Sequence, residues 1–352
     1  MRSAGLIYGE DAHYLDHLGV LCKILGIPLI VTDEKIEQSA KKYYPNLSVL
    51  KYDPLETAKI ILDFQLIFTC LPRPLFNEIF YLQQALLNQR VRTIWIPHGN
   101  SDKGRKSPYM EALQSEEIAL VYGKQMIDFL EEKEVLSKLK RFVTMGNFRY
   151  RFYQRNRAFY SALVKKEILC FLKSNPKKII LYAPTWQDQE QSSSFLSASP
   201  ILLENLPKDY ALIVKPHPNL LKQQGELIQK LSLQYKSPNI LFLNDFPPIY
   251  PLLAHIDIYI GDMSSIGYDF LAFNRPLFFL NESRRDCTQD LGFYLARCGT
   301  VIEKEEYATI YEKIKKSFIK NTQKEIYEYA FGKPKSFKTL KNEIEEAARS
   351  SH

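Results

Sequence analysis

Short apolar runs alternate with helix-length amphipathic stretches along this chain. In the first half the runs are Gly5–Tyr8, Pro28–Thr32, Leu66–Thr69, Arg92–Ile96, Ile118–Tyr122 and Phe142–Met145. In the second half they are Lys178–Ala183, Tyr210–Val214, Asn239–Leu243, Ile256–Ile260 and Pro276–Leu280. Runs that are apolar throughout, rather than alternating, predict parallel strands covered on both faces. Each half therefore reads as a doubly wound, Rossmann-like α/β domain with its ligands at the C-terminal ends of the strands. Past the last run, Tyr307, Ile310, Ile314 and Phe318 recur at helical spacing, and Ile326, Tyr329 and Ala330 continue an apolar face. Gly332-Lys-Pro334 stops that helix before a short final one.

The 352 residues exceed one ordinary core and fit two domains. The expected boundaries give an N-terminal domain over 1–174, a second domain over 175–302, and C-terminal helices over 303–352 that pack back across the domains. The first break is placed near Ser174-Asn-Pro-Lys177, after a basic helix. The polar stretch Gln187–Ser194 reads as a mobile loop following a strand.

Composition narrows the class. With 45% hydrophobic and 25% charged residues the chain is a folded globular protein, and a net charge of +7 favours anionic partners. The excess is concentrated between Lys138 and Lys178, where twelve lysines and arginines face one acid, Glu167. Inside it, Arg149–Tyr160 interleaves cations with aromatics, which suits a solvated helix at a domain junction or a contact with anionic lipid. No nucleic-acid motif accompanies those aromatics, so no nucleic-acid partner is expected. The five cysteines, at 22, 70, 170, 287 and 298, share no metal-like spacing and point to a reducing cytoplasm. No signal peptide opens the chain and no apolar run is long enough to span a bilayer, so a cytoplasmic protein, peripheral at most to the inner membrane face, is expected.

Four strand ends carry candidate chemistry. The run Ile256–Ile260 leads into Asp262, Ser264 and Ser265 and then turns amphipathic from Ile266. A helix starting there would offer unpaired amides and two hydroxyls to an anionic group. His98 ends another run and precedes Gly99, Asn100 and Lys103. An imidazole there can take a proton from a hydroxyl, and Gly99 allows close backbone approach; a helix-capping or loop histidine is the plainer alternative. Lys215-Pro-His217-Pro218 removes backbone donors, so Lys215 and His217 must themselves supply any contact to a leaving phosphate, unless the motif is a surface turn. Tyr182-Ala-Pro-Thr-Trp-Gln-Asp188 brings Thr185 and Asp188, with Trp186 either packing on a flat group or buried as a hinge. Asp269 lies about one turn beyond Ser265, where it reaches a ribose hydroxyl or simply faces solvent. No Walker loop, Gly-x-Gly-x-x-Gly or His-Glu-x-x-His motif is present, and no metal or other cofactor is expected.

Taken in order, His98-Gly99, Tyr182-Ala-Pro-Thr-Trp186, His217-Pro218 and Asp262-Met-Ser-Ser265 with Tyr268-Asp-Phe270 resemble the CDP-glycerol glycerophosphotransferase family, which includes teichoic-acid primases and polymerases. The resemblance covers about residues 92 to 281. It implies a glycosyltransferase-B-like architecture, two domains facing a cleft, with the acceptor on the N-terminal side and the nucleotide donor on the second domain. It further implies that His98 is the base activating an acceptor hydroxyl and that His217 contacts the donor pyrophosphate. Gly99, Asn100, Lys103, Thr185, Asp188, Lys215 and Asp262 join the substrate-binding set, with Ser264 and Ser265 on phosphate and Asp269 on ribose.

The expected reaction is transfer of a polyol phosphate, glycerol phosphate first, from a CDP-activated donor to an acceptor hydroxyl with release of CMP, in cell-envelope polymer or glycan synthesis. The pattern departs from the family at His98-Gly-Asn-Ser101, Met263 and Gln187, which bears on the acceptor and the polyol. Two other readings remain: a nucleotide-sugar glycosyltransferase or epimerase of the same fold, and a catalytically silent anion- or nucleotide-binding protein.

Overall fold

The computed structural model describes residues 2–105, 110–172 and 175–349. Their contacts divide the chain into two compact units: residues 1–99, 108–152 and 328–352 form the first, and residues 100–107 and 153–327 form the second.

The first unit is built on strands β1 (Ser3–Ile7), β2 (Leu29–Val31), β3 (Val49–Lys51), β4 (Leu66–Thr69), β5 (Arg92–Trp95), β6 (Ile118–Val121) and β7 (Arg141–Thr144). They lie in the order β3-β2-β1-β4-β5-β6-β7, every pair parallel. Strands β2, β4 and β6 are buried along their whole length, as continuous apolar runs require. On one face Phe76 and Phe80 stack at 4.5 Å and pack with Ile60, Ile61 and Phe64 against Leu6, Ile30 and Ile67. Asp33 caps the helix Glu34–Tyr43 by accepting from Ile36 N at 3.0 Å. The winding reverses between β1 and β4, so the crevice at their C-terminal ends is a ligand position by topology alone.

The second unit repeats the plan with β8 (Lys178–Ala183), β9 (Tyr210–Val214), β10 (Ile240–Phe242), β11 (Ile258–Gly261), β12 (Leu277–Asn281) and β13 (Thr300–Glu303), ordered β10-β9-β8-β11-β12-β13 and all parallel. Its winding reverses between β8 and β11. Both sheets are thus doubly wound, as the sequence pattern predicts. The two strands absent from that pattern, β3 and β13, each lie at one edge of a sheet and are mostly half-exposed; the opposite edges, β7 and β10, are in the pattern.

Several expectations are corrected. The break expected near Ser174 falls on 173–174, outside the described residues, and contacts place the crossing between Phe152 and Tyr153 instead. The basic segment is two helices, Phe148–Arg155 and Arg157–Glu167, because the backbone leaves helical geometry at Asn156 (φ −111°, ψ 23°). Nor is it wholly solvated: Arg149 is buried, 2.7 Å from the Asp16 carboxylate, with Tyr44 also donating to Asp16. The residues from 303 on do not form one separate segment. Tyr307, Ile310, Tyr311 and Ile314 join the core of the second unit, and Phe318 is exposed beyond the end of the helix Ile310–Lys315. The helix Thr322–Phe331 begins in the second unit and ends in the first, to which the helix Phe337–Arg349 belongs entirely.

Candidate active site

In the second unit the exits of β8, β9 and β11 converge, together with residues 100–104. The centre is Asp262, one residue past β11 and 1% exposed. Its Oδ2 accepts from Thr185 N at 2.8 Å and from Ser194 N at 3.3 Å, stapling the β8 exit to β11. Its Oδ1 has no hydrogen-bond partner among the described residues. Burial raises this carboxyl to about 6, partly offset by the hydrogen bonds from Ser194 and Thr185 and by the Lys103 charge. Gly261 just before it cannot carry a side chain, since a Cβ would lie 2.3 Å from Tyr259 Oη.

Thr185 also accepts from Lys103 Nζ at 2.7 Å, and the same ammonium lies 2.5 Å from Asp188 Oδ2. Asp188 in turn accepts from Glu190 N at 3.0 Å and from Ser192 Oγ at 3.3 Å. Ser193 Oγ donates to Thr185 O, and Glu190 takes Gly104 N and pairs with Arg285. The segment Gln187–Ser194, expected to be a mobile loop, is therefore held at Asp188, Glu190, Ser192, Ser193 and Ser194. Next to Lys103, Asp102 accepts from Tyr268 Oη at 2.7 Å and from Leu295 N at 3.0 Å, and Asn100 is fully buried.

His217 closes β9 and caps the helix Pro218–Gln234, with Nδ1 accepting from Asn219 N at 3.1 Å. A neutral imidazole that accepts at Nδ1 carries its proton on Nε2, so the ring is set as an Nε2–H donor. His217 N donates to Pro184 O, and the Trp186 ring lies 6.4 Å from the imidazole, which ties β9's exit to that of β8. Lys215 N continues the sheet pairing to Tyr182 O. Ser264 is the N-cap of the helix Ser265–Phe270, its Oγ accepting from Ile266 N at 3.2 Å. That hydroxyl already fills the position an anion would take at Ile266 N, while Ser264 and Ser265 both keep partial exposure. Asp269 is buried and takes the Tyr250 hydroxyl at 2.6 Å, so one of its oxygens is already engaged.

The first unit holds His98 and Gly99 after β5, and Asn100, the next residue, belongs to the second unit. Gly99 has φ 151°, a conformation that side chains rarely adopt. The His98 ring lies 5.5 Å from His13 and 5.1 Å from Tyr14, both in the turn that follows β1. Burial above all, and then the His13 charge, lower His98 to about 3, with Asp11 opposing. His98 is therefore uncharged at neutral pH, the state a proton acceptor needs, although a resting imidazole this low is a weak base.

Below it His17 is buried with Nδ1 2.8 Å from Tyr122 Oη, and burial, followed by the Arg149 charge, holds its pKa well below the usual value. Sequence reasoning missed His13, His17 and Asp102, and it quoted Tyr268 as part of a motif without giving it a role. The two histidines carry a weak signal, four residues apart at a helix entry; the pairing of Asp102 with Tyr268 has none, because the two are remote in the chain.

Residues 140–336 match the family described as CDP-glycerol:poly(glycerophosphate) glycerophosphotransferase, which is more than half of the chain. The teichoic acid glycerol-phosphate primase of Bacillus subtilis (strain 168) is 33% identical over 138 residues, 39% of this chain and 32% of the relative. The chain thus aligns with about a third of the length of that curated relative. The wall teichoic acid polymerase TagF superposes with a TM-score of 0.65 at 16% identity, covering 99% of this chain and 88% of that one. It gives this chain the glycosyltransferase-B-like fold. The UDP-GlcNAc 2-epimerase of Neisseria meningitidis superposes with a TM-score of 0.57 at 11% identity, covering 99% of this chain and all of the other, so the fold alone does not select the reaction.

Proposed function

Since this chain belongs to the CDP-glycerol:poly(glycerophosphate) glycerophosphotransferase family, we propose that it transfers a polyol phosphate, glycerol phosphate in the first instance, from a CDP-activated donor to an acceptor hydroxyl. The second unit takes the nucleotide donor and the first unit the acceptor side. The acceptor oxygen bonds to the β-phosphorus, the bond from that phosphorus to the bridging oxygen breaks, and CMP leaves with the electron pair. The hydroxyl proton goes to His98. The acceptor belongs to a cell-envelope polymer or glycan.

The observation that carries this reading is the setting of His217. Its Nδ1 accepts from Asn219 N, which places the proton on Nε2, the form that donates to a pyrophosphate oxygen and stabilises charge growing on the leaving CMP. Lys215, two residues before it, adds a cation on the same strand exit. Ser264 and Ser265 supply hydroxyls at the neighbouring exit, and Asp269 takes the ribose by sharing its carboxylate with Tyr250. Lys103, Thr185, Asp188 and Asp262 hold those exits in register. Gly99 and Asn100 shape the backbone next to His98.

No helix among the described residues is long and apolar enough to cross a membrane. Peripheral contact with a bilayer is supported by the helix Arg73–Leu86, where Leu75, Leu82 and Leu86 share one face and are 40%, 59% and 76% exposed.

Calorimetric titration with CMP, CDP-glycerol, CDP-ribitol, UDP and UDP-N-acetylglucosamine tests the proposal. Selective binding of the cytidine ligands is expected. Preference for uridine ligands would move the assignment to sugar transfer or epimerisation, and binding of none would leave a silent fold. Replacing His98 with alanine should lower CMP release by at least about a hundredfold while leaving donor affinity in place.

A further inference from the structure

We propose that His13 is a positioning residue for His98: with Tyr14 it holds the His98 imidazole at the β1–β4 crevice, and His98 accepts a proton only while His13 is uncharged. The proposal rests on the reading of His98 as the base and extends it to a residue that no motif singles out; both histidines precede the segment, residues 140–336, that matches the family.

The geometry comes from two independent loops. His13 and Tyr14 form the turn that ends the β1 loop, just before the buried helix Leu15–Leu25. His98 ends the loop leaving β5. The exits of β4 and β5 are joined by Trp95 Nε1 donating to Cys70 O at 3.2 Å, so both loops border the point where the winding reverses. There His13 meets His98 edge to face, centroids 5.5 Å apart with planes at 75°, and Tyr14 lies 4.3 Å from His13 and 5.1 Å from His98. Three rings in mutual contact leave His98 little room to rotate. The turn is anchored from beneath by buried neighbours one helical turn on, Asp16 with Arg149 and His17 with Tyr122.

The charge argument follows from the same distance. Among the described residues, the titratable groups near His98 include Asp11 and His13, with Tyr14 in ring contact, and His98 in turn acts on His17 in the helix that follows. His17 is kept uncharged by its burial. Asp11 favours an imidazolium at His98, and a cationic His13 opposes one. When the acceptor hydroxyl gives up its proton, a positive charge appears on His98. A second positive charge 5.5 Å away in this half-buried setting would raise that step's barrier, whereas a neutral His13 does not. Turnover should therefore fall on acidification as His13 gains its proton, even though His98 itself remains neutral.

The test is the pH dependence of CMP release from CDP-glycerol, with free glycerol as the acceptor probe, in wild type and His13→Gln. The proposal expects the acid limb to move to lower pH in the variant, with kcat at neutral pH reduced about tenfold and KM for CDP-glycerol within about twofold. A uniform loss at every pH with an unmoved limb overturns it, as does an unchanged rate. His13→Asn serves if the glutamine variant fails to fold. In the wild-type protein, nitrogen-15 histidine resonances provide a second reading: the His98 signals should respond when His13 titrates, and their indifference overturns the coupling. That spectrum is independent of turnover. Full activity in His98→Ala would sink the base assignment while leaving the His13–His98 coupling to be judged by the spectrum.

Discussion

Replacing Asp262 with asparagine separates its two duties, accepting backbone hydrogen bonds and carrying a buried charge. The amide oxygen of asparagine can still accept from Thr185 N and Ser194 N, which Asp262 Oδ2 binds at 2.8 and 3.3 Å. What the variant loses is the charge. Burial lifts the carboxyl from 3.8 to about 6, so between those pH values the folded protein holds a proton that the unfolded chain has released. The favourable contribution of that proton is complete below pH 3.8 and is lost as pH rises through about 6. About two pH units at 1.36 kcal/mol each give a change of about 3 kcal/mol. Relative to wild type, Asp262→Asn should therefore gain about 3 kcal/mol between about pH 4 and about pH 7. A constant cost of about 1–2 kcal/mol for the poorly partnered amide nitrogen shifts the offset and not the slope.

The chain has two tryptophans, Trp95 in the first unit and Trp186 beside Thr185 in the second. Urea unfolding followed by Trp186 fluorescence in a Trp95→Phe background reports the second unit alone. Comparing that background with and without Asp262→Asn cancels every other titration, including that of His98. A stability difference that stays flat with pH to within about 0.5 kcal/mol would refute the buried-charge account. Alanine at the same position removes the acceptor of both amides and should cost about 2–5 kcal/mol at all pH values.

Three further outcomes are expected. Lys103→Met removes the cation between Thr185 and Asp188 and should speed amide exchange at Glu190 and Ser194 and weaken CDP-glycerol binding; unchanged affinity would remove Lys103 from the binding residues. Asp269→Asn should weaken CMP more than 2′-deoxy-CMP if its carboxylate holds ribose, and equal losses would assign it to Tyr250 alone. Leu82→Glu with Leu86→Glu should reduce co-sedimentation with phosphatidylglycerol vesicles severalfold and leave CMP affinity intact; undiminished co-sedimentation would clear that helix face of a membrane role.

The sheets were legible because parallel strands are buried on both faces and so write continuous apolar runs. Two edge strands escape the rule, β3 and β13, although the other two edges, β7 and β10, are no more buried and still follow it. In β3, Val49 and Leu50 are half-buried and Lys51 is exposed, and in β13 only Ile302 is fully buried. Each contributes an apolar stretch of only two residues, Val49-Leu50 and Val301-Ile302, too short to stand out as a run. The domain boundary is a different case, since the break expected near Ser174 lies outside the described residues. A basic run with one acid reads as a single solvated helix, yet the backbone breaks at Asn156, and the inward turn of Arg149 to Asp16 depends on a partner 133 residues away.

The site divides along the same line. Residue types marked His98, His217 and Ser264 as candidates, because each lies just past an apolar run and a strand end is where α/β proteins bind. The direction of each side chain was not announced. A carboxylate in Asp262-Met-Ser-Ser265 can face a ligand or reach the amides of a neighbouring strand's exit 77 residues earlier, and the local sequence is the same either way. Asp102 and Tyr268 sit inside or beside recognised motifs, yet their hydrogen bond spans 166 residues. His13 belongs to no motif at all. It reaches His98 only because β1 and β5 flank β4, a relation set by strand order. Strand order follows from which apolar runs pair, so the residues that refine a site are fixed by topology even where motifs are silent. In a doubly wound fold the loop after the first strand is therefore the place to look for them, since winding reverses beside it whatever its sequence says.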